Sequence, residues 1–227
     1  MPSLQNAYFQ RDRAREYLKE LESLCVEICE AELKASIIHV KAEVDAPKNV
    51  NDVYTIEEGN TSIPPRCGWL TGQVINCLRS ALDYLIRNLS ELESGIVPER
   101  TQFPIESLKD DFWRKAPTSL EGLTDFHIAQ IERLQPFNGC KWTERLAAIS
   151  SLHKHNDLVE VVHDLQYNGL FVPIPSTDPS IPRYKVHMEF TPTLYVCIGE
   201  EFPLIEALQE IESQVSQTLN AFEPEFK

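Results

Sequence analysis

The sequence predicts an α+β fold in which a bundle of long helices packs with an antiparallel β-sheet. Apolar residues recur at spacings of three and four over residues 5–35, 66–93 and 204–222, which is typical of amphipathic helices. Between these stretches, short runs alternate apolar and polar residues, as half-buried strands do. Because the runs lack the βαβ rhythm of a parallel sheet, we expect the strands to pair antiparallel.

Composition limits the class of protein. The chain has 227 residues, enough for one sizeable core, and we predict a single domain over residues 1–227. The net charge of −14 argues against broad non-specific binding to nucleic acid or to anionic membranes. The N-terminus lacks a signal-peptide core, and no stretch reaches the roughly 18 apolar residues of a membrane helix. We therefore expect a cytoplasmic protein without a membrane partner.

The six cysteines are scattered along the chain. Cys25 and Cys29 lie one helical turn apart, and no zinc spacing such as C-x-x-C occurs. In a cytosolic protein we expect these thiols to be reduced and to behave mostly as small, buried apolar side chains.

The first helix is expected over residues 5–35. Its early turns carry arginines and its late turns carry glutamates, which reverses the order that the helix dipole favours. We therefore expect tertiary partners to hold this helix in place. Alternation then predicts a strand at 38–44, a turn at 46–52 and a second strand at 53–59.

The central helix, residues 66–93, has the longest regular pattern in the chain. Pro64 and Pro65 fix where it begins, and Gly95 is well placed to end it. Its apolar stripe consists of Leu70, Val74, Leu78, Leu82, Leu85, Leu89 and Leu92.

A polar row follows one flank of this stripe. Asn76, Arg79, Asp83 and Arg87 stand at i, i+3, i+7 and i+11, so they share one side of the helix. One interpretation is an exposed face with an Arg79–Asp83 ion pair worth at most a few tenths of a kcal/mol. The other is that the row lines a cleft between this helix and a neighbour.

Three shorter helices are predicted after the central helix. They lie at 107–116, within 120–137 and at 144–156, and Thr143 can cap the last of them. The second has three expected apolar anchors, Phe126, Ile131 and Leu134. The third turns Leu146, Ile149 and Leu152 inward.

The C-terminal third combines strand patterns with one helix. Asn168-Gly169 lies between two β-rich runs and predicts a type I′ hairpin turn. A one-sided strand at 184–190 continues, or pairs, after Pro192. Pro203 can start the last helix, whose narrow apolar seam suits bundle packing. That seam consists of Leu204, Leu208, Ile211, Val215, Leu219 and Phe222.

Titratable residues are densest at His153, Lys154 and His155. The His-x-His spacing suggests a metal site, but helical residues two apart point about 200° apart, so both rings cannot easily reach one ion. We therefore predict no bound metal. No G-x-S-x-G, P-loop or G-x-G-x-x-G pattern occurs, and we predict no cofactor.

The same helix offers a polar inward face. Arg145, His153 and Asn156 lie on one side of it, and a buried charge needs a partner. Asp83 of the central helix is a natural partner. We therefore predict that the central helix and the 143–156 helix pack together. Between them we expect either a structural polar network or a small polar binding cleft.

Four segments carry a resemblance to a known family. LRSALDYLIRNL, TQFPI, IERLQPF and the leucine-rich helix ending in KHNDL resemble a family of uncharacterised bacterial proteins. In that family the helix reads NLRSALDHL and the later motif reads DKHR. The resemblance covers roughly residues 65–158. Arg79, Asp83, Lys154 and His155 occupy matching positions.

The paired-helix plan is also similar to the HEPN group of helical-bundle ribonucleases and nucleotide-binding proteins, some of which act in phage defence. Those nucleases carry R-x4–6-H on one helix, whereas seven residues separate Arg145 from His153. The motif is thus absent as written. His153 also stands where the bacterial family has an acidic residue, and Asn156 where it has a basic one.

The leading hypothesis is a binding or interaction module with a polar interhelical site. Its predicted ligand-binding residues are Asn76, Arg79, Asp83, Arg145, His153, Lys154 and His155.

The HEPN resemblance implies the alternative, a metal-independent ribonuclease or a toxin-like phage-defence protein. In that case His155 or His153 would act as the acid–base group and Arg79 or Arg145 would stabilise phosphate charge. Arg79, Asp83 and His155 are the catalytic candidates. The partner is therefore an unidentified ligand or protein, and RNA enters only through the resemblance. An oligomeric scaffold built on the last helix is the third reading.

Overall fold

The computed structural model describes residues 2–31, 34, 62–96, 99–151 and 203–227 in full. This part of the chain is 80% helical and contains six α-helices and no strand. The helices are α1 Gln5–Ala35, α2 Pro65–Ser94, α3 Lys109–Ser119, α4 Asp125–Arg133, α5 Lys141–Lys154 and α6 Leu204–Phe222. Short 3-10 turns occur at Pro136–Asn138 and Glu223–Phe226.

The predicted α+β fold, a helical bundle packed with an antiparallel sheet, is wrong for this part of the chain. Its hydrophobic core comes from helices and the loops that join them. The apolar stripes of α1, α2 and α6 face one another and fill the interior, because α1 packs against α2 and α6, and α2 also packs against α6. A helical bundle is therefore the fold that the fully described residues define.

Outside the fully described part, five segments whose backbone is described are extended; the last of them ends at Pro203. These strands are β1 Ile37–Asp45, β2 Asn49–Glu57, β3 Val161–Ile174, β4 Arg183–Ile198 and β5 Glu200–Pro203. They pair as two separate antiparallel ribbons, β1 with β2, and β3, β4 and β5 in that order. The single sheet that was predicted does not form among them.

The hairpin turn predicted at Asn168-Gly169 is wrong. β3 runs through both residues, with Asn168 opposite Glu189 and Gly169 opposite Met188 of β4. An Asn-Gly pair makes a hairpin turn only where its two flanking runs pair with each other. Both runs pair with β4 instead, so the local signal is overridden. The turn predicted at 46–52 is also too long, since β2 begins at Asn49.

The long helices follow the sequence pattern closely. α1 has the predicted bounds, and α2 is one residue longer at each end. Gly95 ends α2 with a φ of 72° and donates its N–H to the Glu91 carbonyl, as left-handed C-terminal caps do. α6 begins directly after Pro203. Its whole predicted seam is buried, which confirms that prediction.

The short helices depart more from prediction. α4 spans only two and a half turns, so it buries a single narrow face on which His127 and Ile131 lie four residues apart. Phe126, an expected anchor, is 63% exposed. Thr143 is buried within α5 and does not cap it; its Oγ1 donates to the carbonyls of Leu134 and Cys140, each at 2.8 Å.

Candidate functional site

Arg79 and Asp83, at the middle of the polar row, hold the backbone of Phe103. Asp83 Oδ1 accepts the N–H of Phe103 at 2.8 Å, and Arg79 Nη2 donates to the carbonyl of the same residue at 3.2 Å. The Phe103 side chain is fully buried. Buried backbone groups need hydrogen-bond partners. Arg79 and Asp83, one turn apart on α2, supply them and so fix where the segment that connects α2 to α3 crosses α2.

The same segment is held from its other side by Gln135. Its Nε2 donates to the Pro104 carbonyl at 2.9 Å and to the Ile131 carbonyl at 3.1 Å, and its Oε1 accepts the N–H of Glu106 at 3.0 Å. Gln135 is fully buried. We call residues 101–106, together with the anchors Arg79, Asp83 and Gln135, the clamped segment.

The clamped segment explains three of the motifs singled out in the sequence. Arg79 and Asp83 belong to LRSALDYLIRNL, Phe103 to TQFPI and Gln135 to IERLQPF. These residues are far apart in the chain but meet because Arg79 and Asp83 bind Phe103, and Gln135 binds Pro104 and Glu106. The contacts give Arg79 and Asp83 a structural role.

A second polar row on α2, beside the clamped segment, is partly exposed to solvent. Gln73, Asn76, Ser80 and Tyr84 lie at spacings of three and four on this side of the helix, and each is half-buried. Among the described residues, none of these four side chains makes a hydrogen bond. We call these four residues the polar strip.

The two ends of the polar strip differ in chemistry. At one end, Trp69 is 43% exposed and meets Tyr17 of α1 edge to face, with ring centroids 5.9 Å apart. Arg13 stacks on the same tyrosine and pairs with Glu16. At the other end Arg87 is exposed. The distance from residue 69 to residue 87 along the helix is roughly 27 Å at 1.5 Å per residue.

Of the predicted site residues, Asn76 belongs to the polar strip, whereas Arg79 and Asp83 bind Phe103. Arg145 is directed to another helix, where Nη1 donates to the carboxylate of Glu210 of α6. The two side chains are 35% and 45% exposed, and pairs near the surface contribute at most about 1 kcal/mol.

The remaining predicted site residues, His153, Lys154 and His155, have side chains outside the fully described part. α2 and α5 do pack against each other, as predicted. That Arg79 and Asp83 face the 153–156 end of α5 stays a prediction.

One buried polar group was missed in the sequence. His127 is 4% exposed, and its Nδ1 is hydrogen-bonded to the Glu93 carboxylate at the end of α2. Thr124 binds the same carboxylate through its backbone N–H and through Oγ1, the latter at 2.9 Å. The partners lie far apart in sequence, so no local pattern marks them. The nearest signal is Thr124, a residue type favoured before a helix start.

The buried cysteines are poorly suited to nucleophilic chemistry. Burial raises the pKa of Cys25 to about 12, with a smaller effect from the neighbouring Cys67 and Cys29 thiols. Burial likewise raises the pKa of Cys67 to about 11. Since the thiolate is the reactive form, these groups are unreactive at neutral pH. Five cysteines are free thiols, and Cys197 lies outside the fully described residues.

Two further findings concern the described residues only. They contain no group of three or more His, Cys, Asp or Glu side chains arranged to hold a metal ion. Among the helices found there, none combines the length and the apolar character needed to cross a membrane.

The fully described residues thus define a helical bundle whose central helix carries a half-buried polar strip. Comparison of the chain with protein-family models, with curated proteins and with solved structures gave no match. The resemblances drawn from the motif segments therefore stay predictions.

Proposed function

We propose that the protein is a cytoplasmic binding module whose polar strip on α2 accepts an extended segment of a protein partner. The strongest support is that the side chains of Gln73, Asn76, Ser80 and Tyr84 make no hydrogen bond to any residue that the structure describes. Half-buried polar groups on a rigid helix lose little conformational freedom when a partner binds. They therefore suit recognition better than flexible surface groups do.

The chemistry of the strip favours a peptide over a phosphate. Carboxamides and hydroxyls both donate and accept, which matches the N–H and C=O that every peptide unit offers. Trp69 and Tyr17 supply the aromatic anchor that protein interfaces use most. The strip itself carries no charge and the chain is acidic, at −14, which disfavours a nucleic-acid backbone. A span of roughly 27 Å suits about eight extended residues.

The test is selection of random dodecapeptides displayed on phage against the immobilised full-length chain. Selected peptides should bind the Gln73→Ala/Asn76→Ala variant at least tenfold more weakly, a loss of about 1.4 kcal/mol. Because these amides make no hydrogen bond among the described residues, the variant should melt like the parent chain. Gln217→Ala, which removes an exposed amide of α6, is the matched control and should bind unchanged. Peptides that bind all three proteins equally would contradict the proposal.

RNA is the alternative occupant, in keeping with the HEPN resemblance. A labelled single-stranded RNA of about 20 nucleotides, incubated with the full chain, tests it directly. Cleavage that His155→Ala abolishes, with an unchanged melt, would replace the binding module by a metal-independent ribonuclease. Arg79→Ala is less informative, because that variant also releases the Phe103 carbonyl.

A further inference from the structure

His127 of α4 lies between two carboxylates from different elements. Its Nδ1 is hydrogen-bonded to Glu93 of α2, and its Nε2 lies 3.9 Å from Glu225 Oε1 in the C-terminal 3-10 turn, Glu223–Phe226. Nε2 is buried, and no residue of the described part of the chain is its hydrogen-bond partner. Phe222, the last residue of α6, packs against the ring at a centroid distance of 5.6 Å. The ring therefore bridges the end of α2 and the C-terminus.

The Glu93 carboxylate determines where the first proton of the ring resides. A carboxylate only accepts hydrogen bonds, so Nδ1 must carry a hydrogen. Thr124 holds that carboxylate in place with two hydrogen bonds. A neutral ring then has a bare lone pair at Nε2, which faces the negative charge of Glu225. A protonated ring has an N–H at Nε2 and can donate it to Glu225.

We propose that His127 is a proton-operated latch for the C-terminal turn. The imidazolium bridges Glu93 and Glu225 and holds the turn against α4. As the pH rises and Nε2 loses its proton, attraction to Glu225 is replaced by lone-pair repulsion, and the turn is released. Histidine is the side chain whose charge ordinarily changes between about pH 5 and 8.

The other charged groups near the turn are engaged elsewhere. Glu223 pairs with Lys227 at 3.4 Å. The pKa of Tyr8, on α1, is raised by burial and then by Glu223, so that carboxylate also faces α1. Asp125, on the same helix as the histidine, is exposed. Among the described residues, the ion pairs of His127 are with Glu93 and Glu225.

The test is an NMR titration of the full chain between pH 5 and 8.5. Long-range ¹H–¹⁵N spectra report the charge and tautomer of the His127 ring, and ¹⁵N relaxation reports the order of the Glu225 and Phe226 amides. We expect the order parameters of these amides to fall from about 0.85 to below about 0.6 as the ring loses its proton. The neutral ring should be the Nδ1–H tautomer.

Two matched variants distinguish release of the turn by His127 from a general loss of order at the C-terminus. Glu225→Gln replaces the charge with a group that can donate or accept, so it should keep the turn ordered across the range. Glu223→Gln alters the neighbouring carboxylate and should keep the pH response. A ring that holds one charge state from pH 5 to 8.5 would overturn the proposal. So would a turn whose order ignores the ring, or one that still loosens with pH in Glu225→Gln.

Discussion

At the scale of single residues, the polar row of α2 divides into two roles. Asp83 and Arg79 use their charges on the two backbone groups of Phe103. Their neighbours on the polar strip make no side-chain hydrogen bond within the described part of the chain. A buried backbone group that loses its partner costs about 1–3 kcal/mol. The charged pair therefore stabilises the fold directly.

Removing the Asp83 carboxylate should lower the free energy of unfolding but leave the protein folded. Asp83→Ala deletes a hydrogen bond to a charged group and should lower the free energy of unfolding by about 1.5–3 kcal/mol. Asp83→Asn, which can still accept, should lose less. Urea denaturation measures both. Arg87→Ala, at the next position of the polar row and exposed, is the control and should stay within about 0.5 kcal/mol of the parent. Equal values for Asp83→Ala and the control would mean that Phe103 is held by other contacts.

Alanine substitutions at Gly122 and Gly139 separate the cost of backbone strain from the cost of a steric contact. Their φ angles are +86° and +83°, so an alanine at either position pays a similar left-handed cost of about 1–2 kcal/mol. A Cβ on Gly122 would also lie 2.8 Å from Ser94 Oγ and 2.9 Å from Ser90 Oγ, whereas Gly139 has nothing within 4 Å. Gly122→Ala should therefore destabilise more in thermal melts. The reverse order would show that both serines move aside freely.

The cysteines should be reduced, and the buried ones should make stability depend on alkaline pH. The pKa of Cys25 is raised to about 12 and that of Cys67 to about 11, so both stay protonated in the folded state. Their contribution is fully present below the ordinary thiol pKa of about 8.5 and is lost as the pH rises toward the folded values.

Two measurements check this. Denaturation at pH 8 and at pH 10.5 should show a stability loss that shrinks in Cys25→Ala/Cys67→Ala. Thiol titration of the unfolded chain, without prior reductant, should count all six cysteines; four or fewer would contradict the reduced state.

At the scale of elements, α6 is expected to be integral to the bundle. Ile211→Ala, in the middle of its buried seam, should cost about 2–5 kcal/mol, because a cavity opens between helices. Gln217→Ala, on the exposed side of the same helix, should change little. A chain ending at Gly199 should be insoluble or lack a cooperative transition. A melt like that of the full chain would instead make α6 an appendage.

At the scale of the whole molecule, the prediction of one domain over residues 1–227 has a direct test. Trp69, Trp113 and Trp142 all lie on helices of the bundle, so their fluorescence reports that part alone. Far-UV circular dichroism reports the backbone of the whole chain. If the chain is one domain, the two thermal transitions should coincide. A separate transition seen only by circular dichroism would show that the chain forms more than one domain.

The sequence by itself determined the long helices. A period of 3.6 residues, repeated over eight turns in α2, accumulates enough evidence to locate the element within a residue, and Gly95 and Pro203 mark ends that backbone sterics require. It also identified six apolar residues of α6 that are all buried in the structure. Shorter elements carry fewer repeats, which is why the inward face of α4 was misassigned to Phe126.

Only the tertiary structure decided what the polar residues do. Asp83 and Phe103 are 20 residues apart, and His127 and Glu93 are 34 apart. Nothing in their local sequence specifies either pairing. The same holds for the fold class. Alternation of apolar and polar residues shows that a run can form a strand, but not which other run it pairs with. Asn168-Gly169, which the sequence predicts to be a turn, therefore lies within β3. Hydrogen bonds and ion pairs need particular atoms within about 3–4 Å, and the packing of the helices decides which atoms meet at that distance.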